Sequence, residues 1–134
     1  MISNKTEIRI TYADTDKMGY CYYGNYPRFY EIGRTELMRK LGLSYKELEE
    51  SGIMMPVLSL NIKYIKPAFY DDIIVVETFI KEIPTSRIVF EYEVRNQYSD
   101  LINKGETVLA FVDDKSRKVV RVPDILFDKI SKHL

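Results

Sequence analysis

The chain has 134 residues, 46% of them hydrophobic and 30% charged, with 20 basic and 20 acidic side chains and a formal net charge of +0. That length fits one domain over residues 1–134, and the apolar share argues for a packed core and against disorder. The balanced charge argues against a general nucleic-acid binder, which carries a basic excess. A single cysteine, Cys21, leaves no internal disulfide and fits a reduced, cytoplasmic setting. Residues 1–7 lack the apolar centre of a signal peptide, and no apolar run nears the roughly 20 residues that span a bilayer. No integral membrane segment is expected.

In chain order, residues 8–12 read as a first strand. Asp14 and Asp16 follow in a short polar segment, and then a turn rich in glycine and aromatic residues. Residues 25–41 read as a helix, because Tyr26, Phe29, Tyr30, Gly33, Leu37 and Leu41 recur at three- and four-residue spacing. In an exposed helix Gly33 would cost about 1 kcal/mol relative to Ala, so its expected use is close approach to another backbone. Gly42 suits the helix stop. Ser44-Tyr-Lys-Glu47 matches a capping box that opens a short second helix ending near Gly52.

The period then changes to two. In 57–66, Leu58, Leu60, Ile62 and Tyr64 alternate with Ser59, Asn61 and Lys63, and Pro67 ends the strand. Residues 73–81 read as a central strand, 87–96 as an alternating one and 106–113 as another. Residues 113–116 form a turn, 118–122 a last short strand, and Pro123 opens a final helix ending near Leu134. Strands in succession joined by short turns predict an antiparallel sheet and an α+β fold, with one long helix packed on the sheet. One helix cannot cover every apolar side chain of such a sheet, so a dimer is expected.

The segment from Tyr12 to Glu36 is the most informative. It sets carboxylates ahead of the start of a buried helix. Such an arrangement suits acyl transfer: the carboxylate acts as base or nucleophile, and free backbone N–H groups receive the developing oxyanion. His133 is the only histidine and lies at the C-terminus, so Cys–His and Ser–His–Asp arrangements have little support. Nor is there a Cys/His cluster for zinc or a Walker-type phosphate loop.

Asp14-Thr-Asp16, Gly19, Tyr23, Asn25-Tyr26, Tyr30-Glu31, Arg34 and Glu36 resemble the hotdog-fold acyl-CoA thioesterases, closest to the 4-hydroxybenzoyl-CoA thioesterase family and its Tol–Pal-associated bacterial members. Pro56-Val-Leu-Ser59 and Tyr70-Asp-Asp72 fit more weakly. The resemblance implies a curved antiparallel sheet wrapped around one long helix, with active sites at the interface of a homodimer or homotetramer. It implies that Asp16 attacks the thioester or activates water, and that the Tyr23 backbone N–H polarises the carbonyl. Asp14 is expected to orient the loop. Gly24, Asn25 (as helix cap or substrate contact), Tyr26 and Ser59 are the expected substrate neighbours.

Glu31 is the reserve catalytic carboxylate, although a local ion pair with Arg34 is its simpler role. Coenzyme A belongs to the substrate, carries several phosphates and asks for basic groups at the pocket mouth; Lys63, Lys66, Lys81 and Arg87 are the candidates. No metal or other cofactor is expected. Some relatives have a basic cluster in the turn before Arg87, where this chain reads Pro84-Thr-Ser86. An acyl-carrier-protein thioesterase and a non-catalytic acyl-thioester-binding protein stay open beside the acyl-CoA thioesterase.

Overall fold

A computed structural model describes residues 1–134. The chain runs β1 (Ile2–Arg9), two 3-10 turns (Tyr12–Asp14 and Tyr23–Asn25), α1 (Tyr26–Lys40), α2 (Tyr45–Glu50), β2 (Ile53–Met54), β3 (Val57–Tyr64), β4 (Ile73–Ile80), β5 (Arg87–Arg95), β6 (Leu101–Asp113), β7 (Val119–Val120) and α3 (Asp124–Ser131). The main strands lie in the order β1-β4-β5-β6-β3, every neighbouring pair antiparallel, and β6 also pairs β2 and β7.

Period-two patterning decides which face packs. On β5, Ile88, Phe90, Tyr92 and Val94 are buried, while Arg87, Glu91, Glu93 and Arg95 turn outward. On β4, Ile74, Val76, Thr78 and Ile80 join the same buried layer. Helix α1 lays Tyr26, Phe29, Tyr30, Gly33, Leu37 and Met38 against it, as the helical spacing predicts. At Gly33 an added Cβ would lie 2.6 Å from Thr78 Oγ1 and 2.9 Å from Val76 Cγ1, so the glycine lets the helix sit on side chains of β4 and not, as expected, on another backbone. The core is partly polar and tightly ordered. The Tyr30 and Tyr92 rings stack at 4.0 Å, Tyr30 Oη donates to Asn103 Oδ1 at 2.6 Å, and the Tyr92 and Thr107 hydroxyls are 2.6 Å apart.

Both helix boundaries near Gly42 follow from capping. Leu43 N–H reaches Met38 O at 3.1 Å and Gly42 N–H reaches Arg39 O at 2.9 Å, a Schellman ending with Gly42 at φ +87°. Ser44 Oγ then accepts the Glu47 N–H at 3.1 Å and opens α2.

Other boundaries differ from the sequence reading. β1 begins at Ile2 rather than residue 8, because all eight of its residues find partners on β4, from Ile2 opposite Ile80 to Arg9 opposite Ile73. It stops before Tyr12, which enters a 3-10 turn closed by Asp14 N–H on Thr11 O. β6 starts at Leu101, five residues early, since β5 and β3 pair along both of its edges. On β3, Val57, Leu58, Leu60 and Tyr64 are all 43–49% exposed, and the strand lies at the sheet edge with a single partner, β6.

Candidate active site

The loop after β1 is held by Asp14, a buried carboxylate. Its Oδ2 accepts the Thr11 N–H and hydroxyl, each at 2.9 Å, and its Oδ1 accepts Arg28 Nη2 at 3.0 Å. Its carbonyl accepts the Tyr22 N–H and Asn25 Nδ2, both at 2.8 Å. One residue therefore fastens the loop to the first turn of α1. Asn25 does not cap that helix: its backbone is already helical (φ −82°, ψ −21°) and its amide is spent on Asp14.

Asp16 lies on the next bend. Its Oδ1 accepts the Met18 N–H at 2.9 Å, and Oδ2 has no partner within the protein. The side chain borders a cleft of about 280 Å³ that is also lined by Tyr23, Tyr26, Tyr64, Cys21 and Lys66. The cleft reaches the 3-10 turn Tyr23–Asn25 that leads into α1. The Tyr23 and Gly24 N–H groups, at the start of that turn, meet no acceptor in the structure. Free N–H groups at a helix entrance favour negative charge. Burial pushes the Tyr26 hydroxyl far above the ordinary tyrosine range and also raises the Cys21 thiol, so both stay protonated near neutral pH.

On the far side of the turn, a hollow of about 550 Å³ is lined by Gly24, Arg28, Glu31, Arg34, Val57 and Leu60 among others. Glu31 and Arg34 do not form the expected ion pair. Arg34 turns inward beside the Tyr92 and Tyr45 hydroxyls. Its Nε is buried without a partner, as is Tyr45 Oη.

The structure thus brings together Asp16, Tyr23 and Tyr26 at one cleft, with Gly24 behind the turn and Asn25 bracing it. Ser59, Lys63 and Arg87 stand apart. Ser59 is exposed on β3, Lys63 shares a surface depression with Lys81 on the outer sheet face, and Arg87 is exposed at the start of β5. Lys66 is the basic candidate at the cleft, in an ion pair with Asp100 at 3.5 Å. Tyr64 escaped the sequence reading as a site residue, since its place in the β3 alternation was the only signal it gave. No His, Cys, Asp and Glu side chains gather in threes as a metal site.

The Thioesterase-like superfamily matches residues 10–130. The acyl-CoA thioesterase YbgC of Haemophilus influenzae is 35% identical over 118 residues, covering 87% of this chain and 85% of that protein. Among solved structures, the DHNA-CoA thioesterase of Staphylococcus aureus superposes with a TM-score of 0.93 at 36% identity, covering 98% of this chain and 91% of the other. A 4-hydroxybenzoyl-CoA thioesterase, solved as a mutant in complex with 4-hydroxybenzoyl-CoA, superposes at 0.85 with 26% identity and 98% coverage of both chains. The chain belongs to the Thioesterase-like superfamily and is a thioester hydrolase with the hotdog fold.

Proposed function

We propose that this chain hydrolyses acyl-CoA thioesters to a free carboxylic acid and coenzyme A, with Asp16 as the acting carboxylate and the Tyr23 N–H as the group that polarises the thioester carbonyl. The observation that carries this is the shared cleft: a carboxylate with one unengaged oxygen and an unpaired helix-entrance amide border the same space. Two routes conserve atoms. In one, Asp16 attacks the carbonyl carbon, the thiolate leaves, and water opens the mixed anhydride. In the other, Asp16 takes a proton from the attacking water, and the tetrahedral oxyanion rests on the turn amides until the thiolate departs. Water, a carboxylate and carbonyl polarisation suffice, so the proposal includes no metal and no cofactor beyond the coenzyme A of the substrate.

The Tyr26 ring and Gly24 flank the bound acyl group in this reading, with Asn25 holding the turn. Lys66 joins Ser59, Lys63 and Arg87 as a candidate contact for the coenzyme A portion. The exposed apolar edge of β3 supports a homodimer or homotetramer in which a second copy covers it. The lone reduced Cys21 supports a cytoplasmic setting. No helix is long and apolar enough to cross a membrane.

Thiol release from short, medium, long and aromatic acyl-CoAs, compared in wild type and Asp16→Asn, tests the reading. Turnover that collapses in the folded variant supports it; equal turnover in both proteins removes Asp16 from the chemistry. One observation favours a second assignment. Glu31 has no ion-pair partner and shares the adjoining hollow with Gly24, whose N–H is free. Glu31→Gln in the same assay distinguishes the two carboxylates.

A further inference from the structure

Thioester hydrolysis at this cleft leaves one hydroxyl without a role. Tyr64 closes the edge strand β3, and its Oη donates to the Tyr23 carbonyl at 2.9 Å, across 41 residues of sequence. The same carbonyl accepts the Tyr26 N–H. The Tyr64 ring meets the Tyr23 ring edge-on at 6.1 Å and the Tyr26 ring at 5.8 Å. Tyr64 is therefore seated against the turn by two rings and tied to it by one hydrogen bond.

The bond lands on a telling peptide. Within a planar trans peptide the C=O and N–H point in opposite directions, so fixing the Tyr23 carbonyl also fixes the direction of the Gly24 N–H. With the Tyr22 N–H already held by Asp14, the Tyr23 residue is pinned from both sides, and its own free N–H is held between the two anchors.

We infer that Tyr64 is a positioning residue for the hydrolysis: from β3 its hydroxyl orients the turn whose free Tyr23 N–H receives the thioester carbonyl. This rests on the acyl-thioesterase reading above. Tyr64 touches the turn, not the reacting atoms, so its effect belongs to the transition state and not to the affinity for coenzyme A.

The test is Tyr64→Phe, which keeps the ring and removes only the hydroxyl, assayed with the acyl-CoA that wild type turns over best. The expected result is a kcat about tenfold lower, the worth of one hydrogen bond, with KM changed less than about twofold. A ketone analogue of that acyl-CoA, bound to each protein, gives an independent readout. Its isotope-edited carbonyl stretch moves to lower frequency in wild type, and part of that shift disappears in Tyr64→Phe. A Tyr64→Leu variant separates ring packing from hydrogen bonding. Loss confined to Leu, with Phe equal to wild type, overturns the inference, as does a Phe variant whose KM rises while kcat holds. Absence of thiol release by wild type from every thioester sinks the thioesterase reading itself; an active wild type matched by Tyr64→Phe sinks only the role of Tyr64.

Discussion

Replacing Asp14 by Asn changes one oxygen for an NH2 group at the point where the loop and α1 are fastened. The Asn oxygen can keep the Thr11 N–H and hydroxyl, but those bonds become neutral. Hydrogen bonds to a charged group contribute about 1.5–3 kcal/mol against about 1 for neutral ones, so each of the two bonds loses roughly 0.5–2 kcal/mol. The new NH2 then faces Arg28, donor against donor, and the ion pair is lost. With the Arg28 side chain 55% exposed and that of Asp14 10% exposed, the pair sits near the surface, and its loss is worth roughly 0.2–1 kcal/mol. The sum is about 1–5 kcal/mol, or a fall in Tm of about 4–20 °C for a chain of this size. Asp14→Ala also leaves the Thr11 N–H without its acceptor, and drops further. Urea unfolding measures both variants. Thiol release is expected to fall about tenfold or more in the folded Asn variant, because the side-chain bonds that position the residue-14 carbonyl under Tyr22 and Asn25 weaken. An Asn variant within about 0.5 kcal/mol of wild type, with wild-type kcat, refutes the clamp.

Two further outcomes follow from packing and titration. Gly33→Ala gains about 1 kcal/mol of helix propensity, but it pushes a methyl into Thr78 and Val76, stiff β-branched side chains of a central strand, at about 1–3 kcal/mol. A net loss of roughly 1 kcal/mol in urea is expected, and a stabilised variant would show that α1 can lift off β4 freely. Asp113 Oδ1 accepts the Ser116 and Lys115 N–H groups, both at 2.9 Å, which holds its carboxyl below the ordinary range. A depressed folded value means the stabilisation is complete above the unfolded pKa of about 4 and lost as pH falls through the folded value. The stability gap between wild type and Asp113→Asn should therefore be present at pH 7 and shrink steadily below pH 4; a gap independent of pH contradicts the assigned cause.

The helix, its Gly33 contact and its Gly42–Glu47 boundary were legible because each is a local device: a 3.6-residue stripe, a missing Cβ, a left-handed stop, a capping pair. The start of β1 was not, since Ser3 to Glu7 is polar on balance and becomes strand only through its ladder with β4. Asp16 and Tyr23 became candidates through the resemblance to the hotdog-fold thioesterases, and the fold sets both beside one cleft. Tyr64 did not, because the bond that ties it to Tyr23 spans 41 residues and depends on which end of β3 faces the turn. Arg34 misled for a related reason. Spacing of three on a helix makes an ion pair with Glu31 possible, but it does not reveal that the Arg34 side chain lies beside tyrosines of β5 and α2. Local rules reach the residues of the site that lie within one turn of each other, and the partners contributed by the sheet wait for the fold.

Tyr64 lies on the strand whose outer edge is bare, so a second copy pairing there would bear on the chemistry. A second copy pairing along β3 would immobilise the strand that carries the hydroxyl, and with it the turn amides. Two equilibria that share one element are linked reciprocally: whatever tightens substrate in the dimer must tighten the dimer in the presence of substrate. The expected observation is a dimer dissociation constant, measured by sedimentation, that falls several-fold when a non-hydrolysable acyl-CoA ketone analogue saturates the cleft. Leu58→Lys, a charge set on the exposed apolar edge away from the cleft and the hollow, should shift the protein toward monomer and lower its analogue affinity. A variant that dissociates yet binds the analogue as tightly as wild type would show that the cleft is complete within one chain and that the edge strand does not transmit to the turn.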